Sequence, residues 1–174
     1  MTIAISKVYP LPVLPDLRRP YITSSGHWRN PSRPKHDGCD LFYRWHAADG
    51  PVKMGDGGAT RDPRIPGQPR WFIPAGMCAI AAAAGVVTAA GPTPTGHHVW
   101  IGHTDGHRTG YFHLRDTRVT VGQTLAIGAQ LGEVGDNPLD RDAEHLHFEV
   151  SPSDRYHPLD PEIWLIGATY FVPS

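Results

Sequence analysis

Apolar and polar residues alternate most cleanly in His145-Leu146-His147-Phe148-Glu149-Val150, where Leu146, Phe148 and Val150 interleave with His145, His147 and Glu149. That is the period of a half-buried strand, and it points both imidazoles to one face. Short segments of similar character, bounded by Gly, Pro or Asp, predict further strands over residues 77–82, 85–89, 97–102, 109–114 and 131–134. Propensity alone reads residues 79–84 as helix, but flanking glycines and the β-branched Val86, Val87 and Thr88 argue for strand. Residues 21–43 break into short apolar pieces divided by turns, which predicts strands with a sharp bend. Residues 1–20 read as a Pro-rich extended arm, because proline at that density forbids helix and weakens sheet ladders. Residues 44–74 are dominated by Gly, Pro, Asp and Arg and read as one long loop insertion, a groove wall or lid.

Composition supports one turn-dense β domain over residues 21–174. The 174 residues include 19 Gly and 18 Pro, with 40% hydrophobic and 19% charged residues. Net charge is −1, yet residues 1–75 carry 11 Lys+Arg against 6 Asp+Glu, and residues 76–174 carry 5 against 11. The basic half has no Lys/Arg run interleaved with aromatics, which argues against nucleic acid and suits a basic rim facing an anionic polymer. Cys39 and Cys78 are too few for a disulfide scaffold and read as buried free thiols, with a single bridge between them as the open alternative. The N-terminus lacks the apolar stretch of a secretory signal, and no segment approaches a membrane span.

Candidate chemistry lies in the eleven histidines. His145 and His147, two residues apart on a strand, sit roughly 6.6 Å from one another, close enough for one to bind a metal and the other to reach a substrate on it. His36 and Asp40 would be roughly 13 Å apart on a straight strand, so they share an ion only if the chain bends, and Gly38 is the residue expected to permit that. Imidazole nitrogen plus carboxylate oxygen suits Zn²⁺, and three protein ligands with an open position define a catalytic site. In Thr109-Gly110-Tyr111-Phe112-His113-Leu114, Tyr111 and His113 are expected to share a face opposite Phe112 and Leu114. Each piece alone has an ordinary structural explanation; together they point to a metal site.

These residues resemble the lysostaphin/LytM family of zinc endopeptidases. The family pattern of H-x-x-x-D, a glycine-led strand, I-x-H, T-x-Y-x-H-L, V-x-x-G-Q and H-L-H-F-E is met in order. Here the pieces are His36 to Asp40, Gly76 to Ala81 running on to Gly85-Val86-Val87, Ile101-Gly102-His103, Thr109 to Leu114, Val121-Gly122-Gln123 and His145 to Glu149. The resemblance implies a mostly antiparallel β sandwich with a groove over one sheet, long loops and little helix. It implies one Zn²⁺ per chain held by His36, Asp40 and His147, with His113 and His145 as the catalytic pair. Which of that pair takes the proton is open.

The implied activity is hydrolysis of amides in peptidoglycan stem peptides or cross-bridges; the alternative is a silent wall-binding or structural protein of the same fold. Two departures fall at expected groove walls: residues 41–75 intervene after Asp40, and residues 136–144 replace the usual turn before H-L-H. His103 is assigned to structure, and His27, His46, His97, His98, His107 and His157 carry no assigned role. Without a recognisable export signal, the chain is expected in a phage tail or baseplate, docked to its proteins through the arm, or in host cytoplasm until lysis.

Overall fold

The computed structural model describes residues 4–45, 70–135 and 144–173. Its elements are β1 (Pro20–Ser24), β2 (Cys39–Trp45), β3 (Arg70–Phe72), β4 (Cys78–Ile80), β5 (Gly85–Thr93), β6 (Gly96–Gly102), β7 (His107–Leu114), β8 (Thr124–Leu125), β9 (Gln130–Glu133), β10 (Leu146–Pro152) and the single-turn helix α1 (Pro161–Trp164). Seven strands follow the order β1-β2-β10-β7-β6-β5-β8, β3 adds to β2, and β4 with β9 forms a second, two-stranded sheet. All pairings between these strands are antiparallel, as the family resemblance implies.

The two sheets close over one core. Leu146, Phe148 and Val150 of β10 are fully buried, as are Leu41 of β2, Val99 and Ile101 of β6 and Tyr111 of β7. Full burial of such aliphatic and aromatic side chains contributes roughly 1.5–3 kcal/mol apiece. Beneath them lie the alanines 79, 81, 82 and 83, also fully buried, with Leu131 and Val134. Their small side chains let this segment run close under the large sheet, where the Ala82 N–H donates to the Tyr111 hydroxyl at 2.8 Å. Ala81 N–H donates to the Ala129 carbonyl at 2.8 Å and Ile80 N–H to that of Pro10 at 3.0 Å. No helix forms there: tertiary hydrogen bonding takes the groups that alanine propensity would spend within the segment.

The arm expected over residues 1–20 lies, where described, along the domain. Leu11 and Leu14 are part of the core, and Tyr9 and Val13 N–H groups donate to the Thr169 and Phe171 carbonyls at 3.0 and 2.7 Å. Within the expected loop, residues 70–72 pair with β2; residues 46–69, like residues 136–143 of the second expected groove wall, lie outside the described residues. Cys39 and Cys78 are buried and unpaired with each other. α1 begins at Asp160, whose side chain accepts from Glu162 N–H at 3.0 Å, and Trp164 closes one end of the core.

Candidate active site

Asp40 on β2 and His147 on β10 are directly opposed cross-strand partners, so sheet register alone brings them together. Asp40 Oδ1 lies 2.9 Å from His147 Nδ1 and 3.0 Å from His36 Nε2. His36 gets there because the chain turns just before β2, as expected. The need for Gly38 has a different cause, since its backbone is not left-handed. A Cβ at residue 38 would sit 2.4 Å from the Phe148 carbonyl oxygen and 2.7 Å from His147 Nε2, so glycine is required for close approach of two backbones.

Hydrogen bonds behind the rings fix their tautomers. His36 Nδ1 lies 3.1 Å from the Ser25 carbonyl oxygen and must donate, which leaves Nε2 bare toward Asp40. His147 Nε2 lies 3.1 Å from Glu149 Oε1 and donates to that carboxylate, which leaves Nδ1 bare. Two imidazole lone pairs and a carboxylate oxygen thus converge, with all three donor atoms within 4.8 Å of one another. Such an arrangement is repulsive unless shared protons or a cation sit among the donors. Arg33 occupies the other oxygen of Asp40, at 3.1 Å, and also donates to the Ser24 hydroxyl, so Oδ1 is the oxygen left for the histidines.

The electrostatics follow. When protons rather than a cation hold the three donors together, burial pushes the Asp40 carboxyl up, but the hydrogen bonds then donated by His147 and His36 outweigh it and hold the group well below the usual carboxylate range. Burial pushes His147 down, and its bonds to Asp40 and Glu149 outweigh that and lift it to about 9.

His113 reaches the groove by a different route. Between β6 and β7, Val99 faces Tyr111 while His97 faces Leu114, so β7 carries an extra residue, a β-bulge. His113 adopts φ 62°, a left-handed conformation costing on the order of 1–3 kcal/mol in a residue with a side chain. The alternation breaks there. Tyr111 stays in the core, whereas Phe112 and His113 both line the groove, which corrects the expectation that Tyr111 and His113 share a face.

His113 Nδ1 donates to the Thr95 carbonyl at 2.9 Å, leaving Nε2 bare. Burial pushes its pKa down to about 4, although the Thr95 carbonyl pulls the other way. His145 stacks on Phe42 with ring centroids 5.4 Å apart and meets the His113 ring edge-on at 4.8 Å. All five candidate residues, His36, Asp40, His113, His145 and His147, line a single open groove of about 530 Å³, together with Arg33, Lys35, Thr95 and Phe112.

His103, expected to be structural, is buried outside the groove, with Nδ1 2.9 Å from the Ala84 carbonyl and Nε2 2.8 Å from Thr109 Oγ1. Sequence reasoning missed the contacts that Arg33, Thr95 and Glu149 make with the candidate residues, and that of Tyr156, whose hydroxyl lies 3.1 Å from Glu149 Oε2. For Glu149 a signal existed, since it lies two residues beyond His147 on the same strand face. Arg33, Thr95 and Tyr156 arrive through tertiary contacts that no local pattern marks.

Residues 70–161 match the sequence model of Peptidase family M23, and the chain belongs to that family. The match includes His113, His145 and His147 and begins beyond His36 and Asp40, so the placement of those two rests on the geometry above. A stretch of 98 residues is 36% identical to the cell division protein DipM of Caulobacter vibrioides; it spans 53% of this chain and 16% of that relative. A putative glycyl-glycine endopeptidase LytM from Ruminococcus gnavus aligns at TM-score 0.64 and 19% identity, over 98% of this chain and 64% of that one. The catalytic domain of the antimicrobial peptidase lysostaphin from Staphylococcus simulans aligns at TM-score 0.52 and 21% identity, over 93% and 92%. A zinc-containing peptidase from Vibrio cholerae aligns at 0.53 and 22%, over 90% and 39%. At these identities the structural likenesses establish the fold.

Proposed function

We propose that this chain is a zinc-dependent endopeptidase that hydrolyses amide bonds in the peptide portion of bacterial peptidoglycan. The observation that carries the reading is the convergence of His36 Nε2, Asp40 Oδ1 and His147 Nδ1 in a groove whose other side presents His113 and His145. Membership of a peptidase family supports the reaction class, and the glycyl-glycine endopeptidase and antimicrobial peptidase among its structural relatives support a cell-wall peptide as substrate. The alternative of a silent wall-binding protein gains nothing from a site in which all five residues meet.

Two nitrogens and one carboxylate oxygen with an open side make a donor set suited to catalytic zinc. When bound, zinc would polarise the scissile carbonyl and acidify a water in the groove. His113, neutral at working pH with Nε2 bare, is placed to accept the proton that the attacking water loses. His145, edge-on to it, is placed to hydrogen-bond the carbonyl oxygen as charge builds there. Water adds its oxygen to the carbonyl carbon, the C–N bond breaks, and the proton held by His113 passes to the leaving amine; no covalent intermediate is needed.

The test is digestion of purified sacculi of defined cross-link chemistry, with mass spectrometry of the released fragments. New amino and carboxyl termini at a stem or bridge amide, lost on chelation and restored by zinc, are expected; intact sacculi, or cleavage confined to glycan, would overturn the proposal. A place in a phage particle is a separate proposal that rests on the sequence reading; absence of the chain from purified virions by proteomics would remove it.

A further inference from the structure

Behind the metal-binding side of the groove, Tyr156 occupies a position that the hydrolytic reaction itself does not require. Its hydroxyl lies 3.1 Å from Glu149 Oε2 and 3.3 Å from Asp37 Oδ2, so one phenol proton is shared between two carboxylates. The other oxygen of Glu149 accepts from His147 Nε2, and Asp37 is the chain neighbour of His36. Tyr156 therefore bridges the two separate segments, the turn before β2 and strand β10, that deliver His36 and His147.

Tyr156 is 53% exposed, and the backbone that carries it is tied to the strand. Ser151, fully buried on β10, donates its hydroxyl to the Arg155 carbonyl at 2.9 Å and accepts from His157 N–H at 2.9 Å, pinning the residues on either side of Tyr156 back against the strand. The Tyr156 ring meets Trp100 edge-on at 6.1 Å, and the Arg108 guanidinium lies 4.8 Å from the Trp100 ring centroid and 5.9 Å from that of Tyr156.

Resting on the zinc-site reading above, we infer that Tyr156 is a positioning residue for the metal centre, acting on His147 through Glu149 and on His36 through Asp37. A carboxylate engaged at both oxygens cannot rotate, so Glu149 locks the His147 ring with its proton on Nε2 and places negative charge behind it, which strengthens Nδ1 as a ligand. Removing the phenol hydroxyl takes away the donor between Asp37 and Glu149, leaving each with only its own histidine, His27 Nδ1 at 3.4 Å from Asp37 Oδ1 and His147 Nε2 at 3.1 Å from Glu149 Oε1, and like charges push the two ligand-bearing segments apart.

The test is zinc affinity, measured on the full chain by competition with a chromophoric chelator at fixed pH, together with the visible spectrum of the Co²⁺-substituted protein. Y156F should raise the zinc Kd about 10-fold and Glu149→Ala about 100-fold, the range for partners behind metal-bound histidines. Cobalt bands should shift in both variants, and the metal-free Tm of Y156F should fall by only a few degrees, so that it stays folded while its zinc affinity drops. E149Q keeps an acceptor for His147 without the charge and should fall between wild type and Glu149→Ala, which gives a second reading if Y156F folds poorly. Tight wild-type binding with unchanged Kd and spectrum in Y156F and E149Q overturns this inference alone. A wild-type protein that binds no zinc overturns the metal-site reading, and this inference with it.

Discussion

In the groove His36 and His147 lie within hydrogen-bond distance of the Asp40 carboxylate, with acceptors behind each ring; beside them His113 is tied to a backbone carbonyl, and His145 is stacked on Phe42 with Nε2 3.7 Å from Asp40 Oδ1. Burial opposes the charged form of His113 and of His147. Beside Asp40 and Glu149 the opposition is overcome and His147 rises to about 9, while His113, with the Thr95 carbonyl as its polar partner, falls to about 4. In the proposed mechanism one residue type is thus divided between binding a cation and moving a proton, and the neighbours make the division.

The comparison breaks most visibly in turnover. His36→Ala, Asp40→Ala and His147→Ala should leave no measurable hydrolysis of sacculi, whereas His113→Ala and His145→Ala should each lower kcat about 10²–10⁴-fold, the range for a lost acid or base. Equal residual rates across all five would erase the distinction. A structural break comes next. Gly38→Ala places a Cβ 2.4 Å from the Phe148 carbonyl oxygen, which should destabilise the fold by about 1–3 kcal/mol and lower zinc content, read by thermal unfolding and metal analysis.

The pH dependence of the metal-free protein sharpens the contrast. His147, lifted to about 9, contributes stability that is complete below its unfolded value of about 6.5 and is lost as pH rises through 9. His113, depressed to about 4, contributes stability that is present above about 6.5 and is lost as pH falls toward 4. Calorimetric Tm should therefore peak near pH 6.5, and zinc should abolish the alkaline decline by replacing the proton on His147. A metal-free Tm that climbs steadily from pH 6.5 to 9 would contradict the carboxylate-side half of the comparison. The smallest effect is expected at Arg33, which is 45% exposed at the side chain and holds the distal oxygen of Asp40. Arg33→Ala should weaken zinc about 10-fold in chelator competition, with kcat at saturating zinc little changed.

Where local periodicity decides the structure, the sequence was a good guide. The alternation over residues 145–150 describes β10, whose Leu146, Phe148 and Val150 are fully buried, and the strands expected near residues 85, 97, 109 and 131 are present. The five candidate residues were named from sequence and do meet in one groove. What periodicity cannot carry is the exception to it. The bulge that turns His113 out of the core depends on its register against β6, a tertiary fact, and a period-two reading placed the ring on the wrong face. Gly38 was singled out for flexibility, whereas its true constraint is the approach of β10. Strands β3 and β8 are too short for a pattern to register.

The division of labour between the two H-L-H histidines is tested most directly by the zinc content of two purified variants, because His145 and His147 are two residues apart and only their surroundings separate their roles. His147→Ala should emerge without zinc, and His145→Ala should retain one equivalent per chain while losing most of its turnover. A zinc-free His145→Ala protein beside a zinc-loaded His147→Ala protein would reverse the roles assigned here.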